Sequence, residues 1–379
     1  MKQSGIPFSR PAHAGRESEY VNTVLRTRAL QGNGEMTKAC ASMIASASGT
    51  KYVNITHSCT AALEVASLVL DLRPGDEVIM PSFAFASIAN PVVLRGATPV
   101  FVDIRPDTLN LDEGMIEAAI TDRTRAIYVV HYAGVASEMD AINAIARSKG
   151  LVVVEDAAQA YLSRYKSRSV GGLATIGCFS FHETKNIVSG EGGAFVTNDE
   201  NIARRAQILC EKGTNRRAFL NGEVDKYTWI DVGSSYNPSE LVAAFLRAQL
   251  ETAEAVTCAR IALWNRYYAA FELLDARGIV RRPIVPEHCM HNGHLFYLLL
   301  SDLAARDRLI GMLREDNIVA PFHYVPLHSS PAGRIHGRTS GRLARTEDLA
   351  GRLVRLPLFS DMGDAIERVI DRASHHIGR

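Results

Sequence analysis

From Tyr52 onward, short apolar runs alternate with longer stretches of helical spacing. Tyr52-Val53-Asn54-Ile55, Glu77-Val78-Ile79-Met80, Pro99-Val100-Phe101-Val102-Asp103, Arg125 to Val130, Leu151-Val152-Val153-Val154, Cys178 to Phe181 and Ala194-Phe195-Val196-Thr197 are the runs. Their length and their rich content of Val, Ile and aromatic residues predict buried strands. Helical patterns fill the spaces between them, for example up to Leu70 and up to Lys149, and Pro81-Ser82-Phe83-Ala84-Phe85 turns into another. Strands alternating with helices predict an α/β fold: a mainly parallel sheet with helices on both faces. Ahead of it lies a helical stretch from Glu17 to Arg28, broken by Gln31-Gly32-Asn33-Gly34. After Val196 the pattern changes. Ile202 to Glu211 predicts a helix. Arg216 to Ser239 is polar, glycine-bearing and aromatic, the mark of a long functional loop. Glu240 to Tyr268 predicts one long helix, Leu295 to Leu300 a strand, Arg306 to Glu315 a helix and Ala320 to Tyr324 a strand exit. This divides the chain into a large unit over 1–250, with an N-terminal arm, and a smaller α/β unit over 251–379.

Composition narrows the class. The chain has 379 residues, 47% of them hydrophobic, and a formal net charge of +1. That suits a globular enzyme subunit and offers no basic surface for a nucleic acid or an anionic membrane. No apolar run approaches the ~20 residues of a membrane span, and no signal peptide is evident. The six cysteines are scattered, without a CxxC pair. They predict reduced thiols in a cytoplasmic protein.

The chemistry centres on Lys185. It follows the run Cys178–Phe181 and precedes Gly190-Glu191-Gly192-Gly193, which leads into the next run. A lysine on a loop between two core strands is placed for desolvation, and a desolvated amine attacks a carbonyl to form a Schiff base. Asp156 ends the Leu151–Val154 run, at the carboxyl end where α/β sheets bind ligands. An acid there with a lysine on a later strand exit is the pair a pyridoxal phosphate site needs: the lysine holds the cofactor and the acid keeps the pyridine nitrogen protonated. Asp156 also reads as a helix N-cap before Ala157-Ala158. His57-Ser58-Cys59-Thr60 opens a helix after the first strand and offers free N–H groups to a phosphate; the Ser180 hydroxyl is a further candidate for the same anion.

Ser58-Cys59-Thr60-Ala61-Ala62-Leu63, Pro74-Gly75-Asp76-Glu77-Val78-Ile79, Glu155-Asp156-Ala157-Ala158-Gln159 and Ser180-Phe181-His182-Glu183-Thr184-Lys185 stand in an order and at distances that resemble the DegT/DnrJ/EryC1/StrS sugar aminotransferases. Phe179 to Asn186, Glu211 to Arg216 and Val224 to Trp229 resemble the dTDP-4-amino-4,6-dideoxygalactose transaminase branch. The resemblance runs from Ile6-Pro7-Phe8 to Leu356-Pro357-Leu358-Phe359. It implies pyridoxal phosphate fold type I, a homodimer with shared active sites, L-glutamate as amino donor and dTDP-4-keto-6-deoxyglucose, aminated at C4, as acceptor. Alternatives within the family aminate C3 or act on UDP- or GDP-sugars; a dehydrating branch replaces the lysine by histidine, and Lys185 argues against it. A non-catalytic regulator of this fold usually adds a DNA-binding module and basic surface, and neither is present. The resemblance further implies that Lys185 is the Schiff-base lysine and acid–base, that Asp156 pairs with the pyridinium, that Gln159 meets the cofactor 3-oxygen and Phe85 stacks on its ring, with Phe83 in the core. Cys59, Thr60 and Ser180 would bind the phosphate. Many relatives carry Gly-Tyr-Asn-Tyr-Arg where this chain has Gly233-Ser234-Ser235-Tyr236-Asn237. Ser235 therefore takes the place of an asparagine that reaches the partner subunit's phosphate, and the arginine is missing.

His182, three residues before Lys185, is a candidate for the substrate side, as are His323 and His328. His288-Cys289-Met290-His291-Asn292-Gly293-His294 resembles a metal cluster, but it precedes a strand and supplies ligands from a single arm, so no metal is expected. Gly190-Glu191-Gly192-Gly193 lacks the spacing of a dinucleotide fingerprint.

Overall fold

The computed structural model describes residues 5–378. The apolar runs become β1 (Tyr52–Thr56), β2 (Glu77–Pro81), β3 (Thr98–Val102), β4 (Thr124–Val130) and β5 (Val152–Asp156). The short β6 (Arg164–Tyr165) and β7 (Arg168–Ser169) follow, then β8 (Ile176–Ser180) and β9 (Gly193–Thr197). The last four are β10 (Cys289–Met290), β11 (Phe296–Leu299), β12 (Arg338–Thr339) and β13 (Leu353–Leu356). Eight of them form one sheet in the order β1-β9-β8-β5-β4-β2-β3-β12. Only β9 runs against the others. β10, β6 and β7 make a small patch, and β11 pairs with β13 beyond the sheet.

The central strands are largely apolar because both faces are covered. Val78, Met80, Tyr128 and Val154 face a core shared with the Cys59–Val69 helix, while the alternate residues Ile79, Ile127, Val129 and Val153 face a second core. The helices Glu35–Ser48, Met139–Lys149 and Glu240–Glu251 close that second side. A third core gathers Trp264, Tyr267, Phe271, Phe296 and Ile366 in the C-terminal part. Each fully buried large apolar side chain contributes about 1.5–3 kcal/mol.

Several expectations change. Glu240 to Tyr268 is not one helix but two, Glu240–Glu251 and Ala253–Ala270. At Thr252 both the N–H and the hydroxyl turn back to the Gln249 carbonyl, each at 3.2 Å, and the backbone leaves the helical region. No helix follows Asp156. Residues 157–163 make two consecutive turns, through Ala160 N–H to Ala157 O and Ser163 N–H to Ala160 O, so Asp156 caps an isolated turn and not a helix. After β2, Pro81–Phe85 leads only into the single turn Ala86–Ile88 and the short helix Asn90–Leu94. The expected loop from Arg216 to Ser239 contains the short helix Arg216–Leu220. The Glu35–Ser48 helix was not anticipated. It starts at Gly34 without a local side-chain cap; instead the Glu240 carboxylate accepts from Gly34 N (3.0 Å), Met36 N (2.8 Å) and Thr37 N (3.2 Å). A cap from another helix does the work of a local one.

Candidate active site

With one exception the strands of the sheet are parallel, so the carboxyl ends of β1, β2, β4, β5 and β8 reach the same edge, where α/β folds bind ligands. A cavity of about 400 Å³ opens there. Ser58 beyond β1, Phe85 beyond β2, Val130 on β4, Asp156 on β5 and Ser180 on β8 all line it. So do Cys59, Thr60, Gln159, His182 and Lys185. Of the expected site residues, Ser235 and the substrate-side candidate His328 do not reach the cavity of their own chain.

Lys185 sits on a tightly fastened connection between β8 and β9. Phe181 N–H donates to Gly192 O (2.8 Å), Glu183 N–H to Gly190 O (2.9 Å) and Ser189 N–H to Phe181 O (2.7 Å). The next residue, Asn186, is buried; its Nδ2 donates to Asn292 O (2.8 Å) and its Oδ1 meets His294 Nδ1 (3.0 Å). The Lys185 amine makes no hydrogen bond or ion pair among the described residues. Burial pulls its pKa below the usual lysine range, against an opposing pull from Asp156 and Cys59. Asp156 is 8% exposed and accepts one hydrogen bond, from Ala158 N at 3.1 Å. Burial raises its pKa, while the Ala158 N–H and the Lys185 charge oppose the rise.

The anion end is a helix N-terminus held close to β9. Ser58 caps the Cys59–Val69 helix by accepting from Ala61 N at 3.0 Å, which leaves the N–H groups of Cys59 and Thr60 without a partner among the described residues. Gly193 pairs with Thr56 on one side and Ser180 on the other. A Cβ there would lie 2.4 Å from Ser58 C and 2.5 Å from Cys59 N, so only glycine lets the helix start approach the strand. The Thr60 hydroxyl donates to Ser87 Oγ (2.8 Å). Phe85 is 64% exposed with its ring turned to the cavity wall, whereas Phe83 is 1% exposed in the core.

Gln159 is fixed at both ends of its amide: Oε1 accepts from Ala133 N (2.8 Å) and Nε2 donates to the Tyr324 hydroxyl (2.8 Å). His182 lies at the cavity wall; Thr184 N–H donates to its Nδ1 (3.3 Å), and Nε2 stands 3.5 Å from Glu191. His323 lines the cavity, bonded through Nδ1 to the Tyr132 hydroxyl (3.1 Å), and burial pushes its pKa well down. His328 does not line the cavity. It is spent on Ser82 (2.7 Å) and Glu347 (3.2 Å). The histidines of the 288–294 segment serve separate purposes: His288 meets Glu138 (3.0 Å), His291 packs on Trp264, and His294 holds Asn186.

Phe8, Ser9, Arg260, His294, Tyr324 and Arg355 complete the wall. Sequence reasoning gave none of them a role, because each lies on the N-terminal arm or in the C-terminal part and only the fold brings it to the β5 edge. The partial exception is Tyr324, which stands beside the candidate His323.

The donors fit pyridoxal phosphate: orphan N–H groups for a phosphate, a buried acid short of partners, an unpaired lysine and an open aromatic face. Fold and site define a pyridoxal phosphate-dependent aminotransferase of fold type I. The chain belongs to the DegT/DnrJ/EryC1/StrS aminotransferase family, whose profile matches residues 11–374, and it is a sugar aminotransferase. It is 33% identical to the spore coat polysaccharide biosynthesis protein SpsC of Bacillus subtilis, over 97% of this chain and 96% of that one. It superposes on DesV of S. venezuelae with a TM-score of 0.90 at 30% identity, covering 100% of both chains. The putative sugar aminotransferase Spr1654 of Streptococcus pneumoniae, in its PMP form, gives a TM-score of 0.91 at 26% identity, over 98% of this chain and 99% of that one.

Proposed function

We propose that the enzyme takes an amino group from L-glutamate and delivers it to C4 of dTDP-4-keto-6-deoxyglucose, giving a dTDP-4-amino-4,6-dideoxyhexose. The observation that carries the transamination chemistry is the desolvated, unpaired Lys185 facing the under-partnered Asp156 across the strand ends. The substrate choice rests on the branch-like segments. Phe179–Asn186 is the connection that carries Lys185, and the other two are joined to each other: Asn215 N–H donates to Thr228 O (3.2 Å), and Thr228 N–H to Asn215 Oδ1 (2.7 Å).

Bound pyridoxal phosphate supplies an electron sink for the carbon that gains or loses the amino group. Cys59, Thr60 and Ser180 would hold its phosphate, Phe85 and Gln159 its ring, and Lys185 its aldehyde carbon. Asp156, ionised against a cationic nitrogen, would keep that nitrogen protonated. The freed Lys185 amine would move the proton at the reacting carbon. It is suited to this because desolvation keeps a larger share of it neutral than an exposed lysine. His182 would offer its Nε2–H to the substrate from the cavity wall.

The partner in this reading is a second copy of the chain. Tyr227, Trp229, Ile230 and Val232 are exposed on the 216–239 lobe, Trp229 to 74%, which favours burial against another surface. Ser235, bridged to Glu211 just before the lobe, would donate to the partner's cofactor phosphate. The test is incubation with pyridoxal phosphate, L-glutamate and dTDP-4-keto-6-deoxyglucose, with the product assigned by NMR. A C4 amine is expected; a C3 amine, or no bleaching of the yellow protein by glutamate, overturns the reading.

A further inference from the structure

Away from the catalytic cavity, the large sheet has an open edge. β1 is its first strand and bonds only to β9. Alternation decides which backbone groups that bonding uses. Phe181 N–H donates to Gly192 O, so the even positions of β9 turn to β8. The odd positions Gly193, Phe195 and Thr197 turn to β1, where they meet Thr56, Asn54 and Tyr52. Val53 and Ile55 therefore point their N–H and C=O groups outward, and those groups have no partner among the described residues. His57 follows in the same phase. Its N–H donates to Tyr236 O at 2.8 Å, so the chain itself covers one end of this edge and leaves the stretch at Val53 open.

A groove of about 490 Å³ runs along the open stretch, floored by Lys51 to Asn54. One wall is Ala41, Ser42 and Ala45 of the Glu35–Ser48 helix; the other is Ala203, Arg204 and Gln207 of the Glu200–Cys210 helix. Alanine on both sides leaves room for an added strand, which would lie about 4.8 Å from β1. The same walls choose between occupants. The edge of another folded sheet arrives with its own flanking helices, each about 10 Å across, and these strike the two walls before backbone reaches backbone. A lone extended segment has no such flanks. Charge narrows the choice further. Glu200 and Arg204 pair with each other at 2.7 Å. The Lys51 amine has no hydrogen bond or ion pair among the described residues, its backbone N–H alone being used, on Asn198. The Lys38 amine has none either, and Lys38 stands one turn ahead of Ala41 and Ser42 on the same helix face. Only residues 49–51 join that helix to β1, so the two run in opposite directions and Lys38 lies toward the far end from Lys51. An incoming segment meets unpaired positive charge at both ends of the groove.

We propose that the β1 edge is a docking site for an extended, acidic segment of a partner protein, which adds one strand beside Val53 with carboxylates toward Lys51 and Lys38.

The test pans a phage-displayed library of random octapeptides on the cofactor-loaded enzyme and remeasures the enriched sequences as synthetic peptides. They should be acidic, with β-branched residues at alternate positions. In hydrogen-exchange mass spectrometry, bound peptide should slow exchange of the segment spanning residues 50–56 and leave the 181–192 connection unchanged. Ser42→Trp fills the groove from an exposed position and should lower peptide affinity at least tenfold. Lys51→Glu should lower it about two- to fivefold, the range of an exposed ion pair. Both variants should keep the parental turnover. Enriched peptides without an acidic excess, equal binding to Ser42→Trp, or protection outside 50–56 overturns the proposal. If no peptide is enriched, the lysines guard the edge against pairing and the proposal falls. Loss of the dimer in Ser42→Trp would assign the groove to a second copy of the chain and overturns it as well.

Discussion

Glu155 and Asp156 are neighbours at the end of β5, and alternation turns them to opposite faces of the sheet. Glu155 is 0% exposed and fully partnered: Oε1 accepts from Leu173 N (2.8 Å) and Ala174 N (2.7 Å), Oε2 from Gly171 N (2.8 Å). Ser137 N–H donates to His131 Nδ1, so the ring proton sits on Nε2 and reaches Glu155 Oε2 at 3.0 Å. Asp156 has only the Ala158 N–H. Both acids are buried, yet one is architecture and the other waits for a cation. Among the bases, Arg260 Nε donates to Gly293 O (3.1 Å), whereas Arg355 Nε is buried without a partner. Burial alone does not mark a functional group; burial with donors or acceptors left over does.

The largest effect that sharpens this contrast is at Lys185, the cation beside Asp156. Lys185→Ala should lower turnover by about 10⁴-fold or more while the melting temperature stays near the parent's; substantial turnover in the purified variant would refute its role. Asp156→Asn should lower the single-turnover rate by about 10²–10⁴-fold with the cofactor still bound. It should also change the cofactor-free protein. A carboxyl whose folded pKa is raised contributes stability that is full below its unfolded value of 3.8 and is lost as pH rises through the folded value. The parent apoprotein should therefore lose stability on raising the pH through that window, and Asp156→Asn should not. Parallel stability–pH curves would break the comparison.

Glu155→Gln should behave in the opposite way. Its amide N–H groups would face backbone donors in the 171–174 loop, at a cost of about 2–4 kcal/mol in chemical denaturation. The folded, cofactor-loaded fraction should turn over at the parental rate; a selective loss of activity without a loss of stability would erase the distinction. Ser235→Ala is the smallest change, because the partner of Ser235 would lie in another chain. It should weaken cofactor retention about ten- to a hundredfold and more so on dilution, with Ser235→Asn tolerated. Equal retention across protein dilution would make Ser235 an ordinary loop serine.

The strands were legible because residues buried on both faces leave continuous apolar runs. The Lys185–Asp156 pair was legible because each sits at the end of such a run. What could not be read depends on partners distant in sequence. The Glu35–Ser48 helix takes its cap from Glu240. Arg355 has the sequence context of an ordinary strand arginine, and nothing near it signals that its Nε–H lacks an acceptor. His323 and His328 are five positions apart in similar surroundings, yet only the fold sends one to the cavity and the other to Glu347. Ser58 and Asp156 both look like helix caps, and only Ser58 is one.

The N-terminal arm has a consequence for how the enzyme is made. Ile6 bridges to Ile318, Phe8 O accepts from Leu358 N, and Arg10 meets Asp361, 351 positions later. On the ribosome, residues 6–10 emerge long before anything they dock against exists. The large sheet can form while translation continues, but the contact of Phe8 with Arg355 and Leu358 closes only after β13 and Leu358 have left the exit tunnel. The cavity is therefore among the last parts to close, and a nascent chain stalled before residue 353 would carry Lys185 and Asp156 in place with the wall formed by Phe8, Arg355 and Leu358 still open.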